Sequence, residues 1–343
     1  MELVFIALLF AIIAGILNGS FALPIKYLKI NDSKLWLYFS FWAFVVIPLI
    51  SIVIINPHFT RYIATLPDSA IFIPFAAGFL WGIGMVFLSI ALKYIGIGIS
   101  FVINIGIGTA GGTLIPFILF PGAQTNIVFN ILIYLGVTLL ILAVISAGIA
   151  AHQREKFIYK ESSNSSKSMS IFAIIITILC GISSAIQGAS YAFAISAAKN
   201  SIPLEYSHSF ISSAIPWLFI FAGGFIPYAL YFFIAEYCYK KQNPDSTKQN
   251  QLSLKGHLLI IAMAIMLFES VIFYSKASQT LGALGPIVAW PLFMAFIILM
   301  SNFWGFKHGE WKNIPRNIGL KMCIAIFLLL VAIVILVIAS TYH

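Results

Sequence analysis

The chain has 343 residues, of which 61% are hydrophobic and only 8% are charged, and its mean hydropathy is +1.04. This composition excludes a soluble domain of this length and predicts a membrane protein. The net charge of +9 would suggest nucleic acid in a soluble protein, but here the cations follow the connections between apolar runs, so no nucleic-acid partner is expected.

Ten apolar runs of about 18 residues or more follow one another along the chain. Each predicts a transmembrane helix, because a helix satisfies its own backbone polar groups in hydrocarbon. The first run has no basic segment before it, so it is expected to remain as helix 1 rather than to act as a secretion signal. The predicted helices 1 to 10 span approximately residues 3–24, 35–55, 70–92, 98–120, 126–150, 169–196, 209–235, 256–276, 282–301 and 318–340.

Two longer polar connections, 152–168 and 240–255, are basic, rich in Ser, Asn and Gln, and typical of cytoplasmic linkers. The first divides the chain into a five-helix repeat (1–150), a cytoplasmic linker (151–168) and a second five-helix repeat (169–343). Because five is odd, helix 6 enters the membrane from the side opposite to helix 1, so the two repeats would be inverted. The predicted fold class is therefore an all-α polytopic membrane protein with ten transmembrane helices as two five-helix inverted repeats.

The distribution of Lys and Arg predicts the orientation of the chain in the membrane. Sixteen of the 19 lie in alternate connections on one side, and the other side holds Arg61, Lys199 and Lys276. Since cytoplasmic loops carry the excess of Lys and Arg, the side with sixteen is expected to be cytoplasmic. Both termini are then expected outside.

Glu269 lies in the middle of the apolar run from Leu258 to Tyr274, in a chain with ten acidic residues. A carboxylate near the bilayer centre costs about 2.5–3.5 kcal/mol, so it normally faces the bundle interior and has a partner or a proton. Two interpretations follow from this position. Glu269 is either a titratable proton-coupling site or a protonated carboxyl that bonds a neighbouring helix.

Other polar and aromatic residues inside the predicted helices form a candidate binding site for a small molecule. Amides and hydroxyls beside aromatic rings suit a neutral solute, because a ligand charge would be left unpaired at low dielectric. For the two tryptophans the alternatives are interfacial anchoring or packing within the bundle. The glycines of helices 4 and 7 are expected to allow close packing of helices. The substrate-binding candidates are Asn18, Trp81, Asn104, Gln187, Tyr191, Ser270, Tyr274 and Trp290.

Enzymatic function is not indicated, because the chain has no HExxH, GxSxG or phosphate-binding loop and its six histidines are scattered. The three cysteines lack metal-ligand spacing, so no metal and no cofactor are expected. The remaining classes are a proton-coupled importer, an exporter of metabolites or drugs, and a non-transporting membrane enzyme or receptor.

The sequence resembles the bacterial L-rhamnose/proton symporter family of the drug/metabolite transporter superfamily along nearly its whole length. The most specific part runs from Trp81-Gly82-Ile83-Gly84 to Lys93-Tyr94-Ile95-Gly96. Further collinear similarities are Pro24 with Lys26 and Lys29, Gly106 with Gly112-Thr113-Leu114, Cys180-Gly181-Ile182 with Ser184-Ala185, Pro216 with Gly223-Gly224, Trp290 with Leu292 and Met294, and Glu310-Trp311.

The resemblance implies ten helices in two inverted repeats, a central cavity, and proton-driven uptake of a neutral sugar across the bacterial inner membrane. The chain departs from the family where Glu269 replaces an apolar residue, Ser270 a glutamine and Asn104 a small residue. The alternative function is transport of another small metabolite or drug, such as a nucleobase or an amphipathic compound. The expected partners are the small-molecule substrate, protons and membrane lipid, with the protein a monomer or a homodimer.

Overall fold

A computed structural model describes residues 2–119, 126–162, 171–199, 209–243 and 252–342. Within these ranges the chain is helical without strands, and ten helices are long and apolar enough to cross a membrane. The prediction of an all-α protein with ten membrane-spanning helices is confirmed. Helices 1 to 10 span Glu2–Tyr27, Asp32–Ile55, Asp68–Leu92, Ile99–Leu119, Ile127–Ile158, Ile171–Ala198, Ile211–Gln242, Leu254–Thr280, Gly285–Lys307 and Arg316–Ala339.

Helices 3 and 4 lie within one continuous helical stretch, Asp68–Leu119. A straight helix of 52 residues would be about 78 Å long, more than twice the thickness of the hydrocarbon core. Gly84 of this stretch contacts Ser183 and Gly108 contacts Ser184, which are neighbours on helix 6. The chain must therefore reverse between Gly84 and Gly108, so helices 3 and 4 are two antiparallel arms with helical backbone between them.

Eight of the helices form a closed ring, in the order 1, 8, 2, 7, 3, 6, 4 and 9. Helices 5 and 10 lie outside this ring and pack against each other, with Gly136 on Leu336. Close helix contacts in the ring use the predicted small residues. Gly82 meets Gly224, and Gly223 meets the backbone of Phe75. A side chain at these positions would separate the helices, which is why glycine is found there.

Helix 2 contains a π-helical segment, Trp42–Val46, between the α-helical segments Asp32–Phe41 and Ile47–Ile55. Pro48, the second residue after this segment, has no N–H to donate to the carbonyl one turn earlier. The wider turn is made by the Ile47 N–H, which donates to the Trp42 carbonyl. Single π-helical turns are rare, and they are frequent at functional sites.

Basic residues concentrate at one end of the bundle, which we call the cation-rich end. Here the Glu310 carboxylate pairs with Lys26 at 3.5 Å and with Arg154 at 3.0 Å. The predicted linker 151–168 begins at this end, where helix 5 continues as helical backbone to Ser162. The rest of that linker lies outside the described residues.

Candidate functional site

Glu269 and Ser270 are neighbours near the middle of helix 8, and each is bonded to a different helix. Ser51 Oγ of helix 2 donates a hydrogen bond of 2.5 Å to Glu269 Oε1. Asn18 Nδ2 of helix 1 donates a bond of 2.9 Å to Ser270 Oγ. Ser270 Oγ in turn donates to the Leu267 carbonyl, so this hydroxyl is fully buried and satisfied. Helix 8 thereby connects helices 1 and 2 through two consecutive residues.

The Glu269 carboxyl is half-buried and lacks a counter-ion within the described ranges. The ion pairs found in those ranges involve Glu310 and Glu236, both at the cation-rich end. A carboxylate inside a membrane is costly, so it normally has a partner or a proton. The site therefore has the chemistry needed to bind and release a proton.

Asn104 belongs to a second polar group, between helices 4 and 6. Its Oδ1 accepts a hydrogen bond of 2.9 Å from Ser184 Oγ and another of 3.2 Å from Cys180 Sγ. The amide nitrogen of Asn104 makes no hydrogen bond to the part of the chain that the structure describes, and the residue is half-buried. This leaves both N–H donors of the amide for a ligand. The structure does not bring Asn104 into hydrogen-bond contact with Asn18 or Glu269.

Aromatic rings from helices 6, 7, 8 and 9 form a third group, which we call the ring cluster: Tyr191, Trp217, Tyr274 and Trp290. Tyr191 stacks on Trp217 with ring centroids 4.9 Å apart, and Trp217 stacks on Trp290 at 6.5 Å. Tyr274 contacts all three other rings. Each ring is at most 2% exposed and lies five to seven residues from the helix end that is opposite the cation-rich end. The cluster therefore closes the interior of the bundle at that end.

Trp290 is held tightly between helices 4 and 6. Its indole lies against Gly112 and Gly188, and its Nε1 donates a hydrogen bond of 3.2 Å to the Gly108 carbonyl. Both faces of this ring are covered by protein in this conformation. The packing role considered for Trp290 is therefore realised, and contact with a ligand stays a prediction that requires these helices to separate.

Trp81 lies apart from the ring cluster, between helices 2, 3 and 7. It packs against Phe44 and Phe221, with centroids 5.5 and 5.7 Å away, and against Gly224. Unlike Trp290 it is half-buried. Gln187 is one turn from Tyr191 on helix 6, is 7% exposed, and makes no side-chain hydrogen bond within the described residues. Its amide is thus without a protein partner there, which suits a ligand-binding role.

Sequence reasoning missed three residues that the structure places at the site. One is Ser184, which donates a hydrogen bond to Asn104 Oδ1. Ser51 is the partner of Glu269, and Trp217 is the centre of the ring cluster. Trp217 follows Pro216 inside an apolar run, so it carried the same signal as Trp81 and Trp290. Ser51 carried a weaker signal, because single serines occur in many of the apolar runs and most bond their own helix.

Comparisons with known proteins identify relatives of this chain. The sequence model of the family described as L-rhamnose-proton symport protein (RhaT) matches residues 2–341. L-rhamnose-proton symporters of Yersinia pestis (strain Pestoides F) and Yersinia pseudotuberculosis (serotype O:1b, strain IP 31758) are 24% identical, covering 94% of this chain and 96% of theirs. A symporter of the same name from Yersinia pestis bv. Antiqua (strain Antiqua) is 25% identical over the same shares.

These relatives confirm the family resemblance seen in the sequence, and the family is one of transporters rather than enzymes. The ten apolar helices identify a multi-pass membrane protein. Because the family model covers nearly the whole chain, this protein belongs to the L-rhamnose-proton symport protein family.

Proposed function

We propose that the protein is a proton-coupled secondary transporter that imports a neutral, L-rhamnose-like sugar across the bacterial inner membrane by alternating access. The observation that carries this proposal is the adjacency of Glu269 and Ser270 on helix 8. One residue can exchange a proton, and the next is bonded to an amide that can bind a sugar hydroxyl. Binding of a proton and binding of the sugar therefore act on the same turn of helix 8.

The proton site is Glu269 in this proposal. Its single hydroxyl donor and the lack of a counter-ion in the described ranges leave the charged form weakly compensated. Protonation makes the carboxyl neutral and weakens the hydrogen bond that it accepts from Ser51 of helix 2. A carboxyl whose contact with helix 2 differs between its ionised and protonated forms couples proton movement to a change of conformation.

The substrate site is formed by Asn18, Asn104 and Gln187, with Trp81 as a flat apolar face. These amides provide donors and acceptors without a fixed charge, so they favour a neutral polyhydroxylated ligand over an ion. A deoxysugar such as L-rhamnose also has a methyl group and an apolar ring face, which suit an indole. The named relatives are L-rhamnose-proton symporters, which supports the sugar class.

Alternating access would use two inverted five-helix repeats, residues 1–150 and 169–343, joined by the linker 151–168. The helix contacts support this proposal. If each helix of the first repeat is paired with the helix five places later, the contacts of one helix match the contacts of its paired helix. Helix 1 packs on helices 8 and 9, as helix 6 packs on helices 3 and 4, and helix 5 pairs with helix 10. The ring cluster would be the closed gate in this conformation, at the outer side if the cation-rich end is cytoplasmic.

Ligand stabilisation tests the substrate class. A thermal-shift screen of the purified protein over neutral sugars, nucleobases, amino acids and cationic drugs should show a raised melting point with L-rhamnose or a related neutral sugar, because a ligand of the folded state stabilises it. Stabilisation by a nucleobase or an amphipathic drug instead would favour the alternative function. A response to dicarboxylates or sugar phosphates alone would contradict a neutral substrate.

Transport by Glu269→Gln tests the proton role. The variant should exchange labelled for unlabelled L-rhamnose in proteoliposomes but should not accumulate it in response to a pH gradient, since the amide cannot release a proton. Glu310→Gln is the matched control, because it removes a carboxylate that is 40% exposed at the cation-rich end, and it should still accumulate sugar. If Glu269→Gln concentrates the sugar as the wild type does, Glu269 has a structural role.

A further inference from the structure

Ser51 uses its hydroxyl differently from a neighbouring serine on the same helix. Ser40 Oγ donates to the Leu37 carbonyl at 2.7 Å, within helix 2 itself. A serine in a helix can satisfy its hydroxyl in this way without any partner outside the helix. Ser51, which is 8% exposed, donates instead to Glu269 Oε1 of helix 8. Folding of helix 2 does not require this bond, so it calls for another explanation.

We propose that Ser51 is a positioning residue for proton coupling, which holds the ionised Glu269 against helix 2 and releases it when Glu269 is protonated. The role assigned to Ser51 rests on the proposed function, in which Glu269 carries the proton. It adds a second residue to the proton site and names the helix pair, 2 and 8, whose contact depends on protonation.

The physical basis is the difference between the two protonation states of a carboxyl. A hydrogen bond to a carboxylate is roughly twice as strong as one between neutral groups. The hydroxyl of Ser51 therefore stabilises the ionised carboxylate more than the protonated carboxyl. When Glu269 gains a proton, the bond from Ser51 weakens, and helices 2 and 8 lose this charge-assisted connection.

Other charged groups on the helices around Glu269 lie away from the membrane centre. On helices 1, 2, 7 and 9 the charged residues lie close to the helix ends. All of them are at the cation-rich end except Glu2, which is at the opposite end. On helix 8, Lys276 is held by Gln279 at 3.3 Å and by the ring of Phe210, and His257 contacts Tyr38. The tyrosine of helix 8 nearest in sequence, Tyr274, belongs to the ring cluster. The charged side chains near the ends of these helices include Lys26, Asp32, Lys34, Glu236, Lys240, Lys241, Lys307 and Lys255.

The structure also offers a route from Ser51 to the aromatic interior. Ser51 lies on Ile47–Ile55, directly beyond the π-helical segment Trp42–Val46. Phe44 of that segment packs against Trp81 and Phe221. In the proposed role, a change in the bond between Ser51 and Glu269 would be transmitted along helix 2 to the contact of Phe44 with Trp81.

Infrared titration of the protein in lipid vesicles tests this role without any substrate. The carboxyl band that is absent from Glu269→Gln identifies Glu269, and its intensity is followed against pH. Ser51→Ala should move the midpoint of that titration upward by about one pH unit, as expected for loss of one hydrogen bond to a charged group. Ser51→Thr keeps the hydroxyl and should titrate as the wild type does. Ser40→Ala, the matched control on helix 2, should leave the midpoint unchanged.

Uptake of L-rhamnose into proteoliposomes, measured against pH, separates the role of Ser51 from the proposed function. The profile of Ser51→Ala should be displaced upward in the same direction as the infrared midpoint. An unchanged midpoint for Ser51→Ala, or an equal shift for Ser40→Ala, would overturn the role of Ser51 while wild-type uptake stands. Absence of uptake by the wild type would refute the proposed function and, with it, coupling through Ser51.

Discussion

Gly112 of helix 4 should tolerate no side chain, because the indole of Trp290 occupies the space beside it. A Cβ atom at Gly112 would lie 2.8 Å from Trp290 Cε2 and 2.9 Å from Cδ1, distances that force the ring to move. Moving the ring breaks the bond from Trp290 Nε1 to the Gly108 carbonyl. Gly106, on the same helix, is different, since the nearest atom to a Cβ there is Val144 Cγ1 at 3.9 Å.

The two glycines therefore predict opposite effects of the same substitution. Replacing glycine by alanine in a helix interior stabilises by roughly 0.5–1 kcal/mol. At Gly112 this gain is outweighed by overpacking, about 1–3 kcal/mol, and by the lost hydrogen bond, about 0.5–1.5 kcal/mol. Gly112→Ala should lower the free energy of unfolding by about 1–3 kcal/mol, whereas Gly106→Ala should leave it unchanged or raise it.

Unfolding by SDS in mixed micelles, followed by tryptophan fluorescence, measures both variants against the wild type. The Gly112→Ala midpoint should fall and that of Gly106→Ala should not. Equal midpoints for the two variants would refute the packing of Trp290 between helices 4 and 6, and with it the closure of the bundle at that end by the ring cluster.

Three further outcomes are expected. Glu236→Ala should lower the free energy of unfolding by about 3 kcal/mol in the same SDS titration, because the buried carboxylate accepts two hydrogen bonds from the start of helix 2. Glu310→Ala should cost less than about 1 kcal/mol, since its ion pairs are partly exposed, and a larger loss would mean that these pairs hold the bundle together. Cysteines placed at Ser163 and Ser246 should be labelled from the cytoplasm, and a reporter after His343 should be active outside; the reverse pattern would overturn the orientation inferred from Lys and Arg.

The membrane helices could be predicted from the sequence because their signal is local. Run length and hydropathy identify each span without knowledge of its neighbours. The residues at which the helices begin and end were harder to predict from the sequence. Helix 5 continues to Ser162 through a polar segment, since Gln, Arg, Glu and Lys are good helix formers once the chain leaves the membrane. The helical connection between helices 3 and 4 likewise lies at a break in hydropathy that the sequence indicates as a loop.

A site residue could be predicted from the sequence where it is unusual in its own helix. It could not be predicted where its role depends on a residue of another helix. Glu269 stands out because a carboxyl in an apolar run is costly wherever the helix packs. The partners Ser51 and Ser184 do not stand out, because their roles depend on the register between helices 2 and 8 and between helices 4 and 6. The pairing of Asn18 with Ser270 is a contact of the same kind.

Proton movement driven by sugar tests the central claim most directly. Proteoliposomes with equal pH on both sides are mixed with external L-rhamnose, and the pH of the weakly buffered medium is recorded. The wild type should make the medium more alkaline as the sugar enters with protons, and Glu269→Gln should not. Entry of L-rhamnose into wild-type vesicles without any change in external pH, or an equal change with Glu269→Gln, would contradict proton coupling through Glu269.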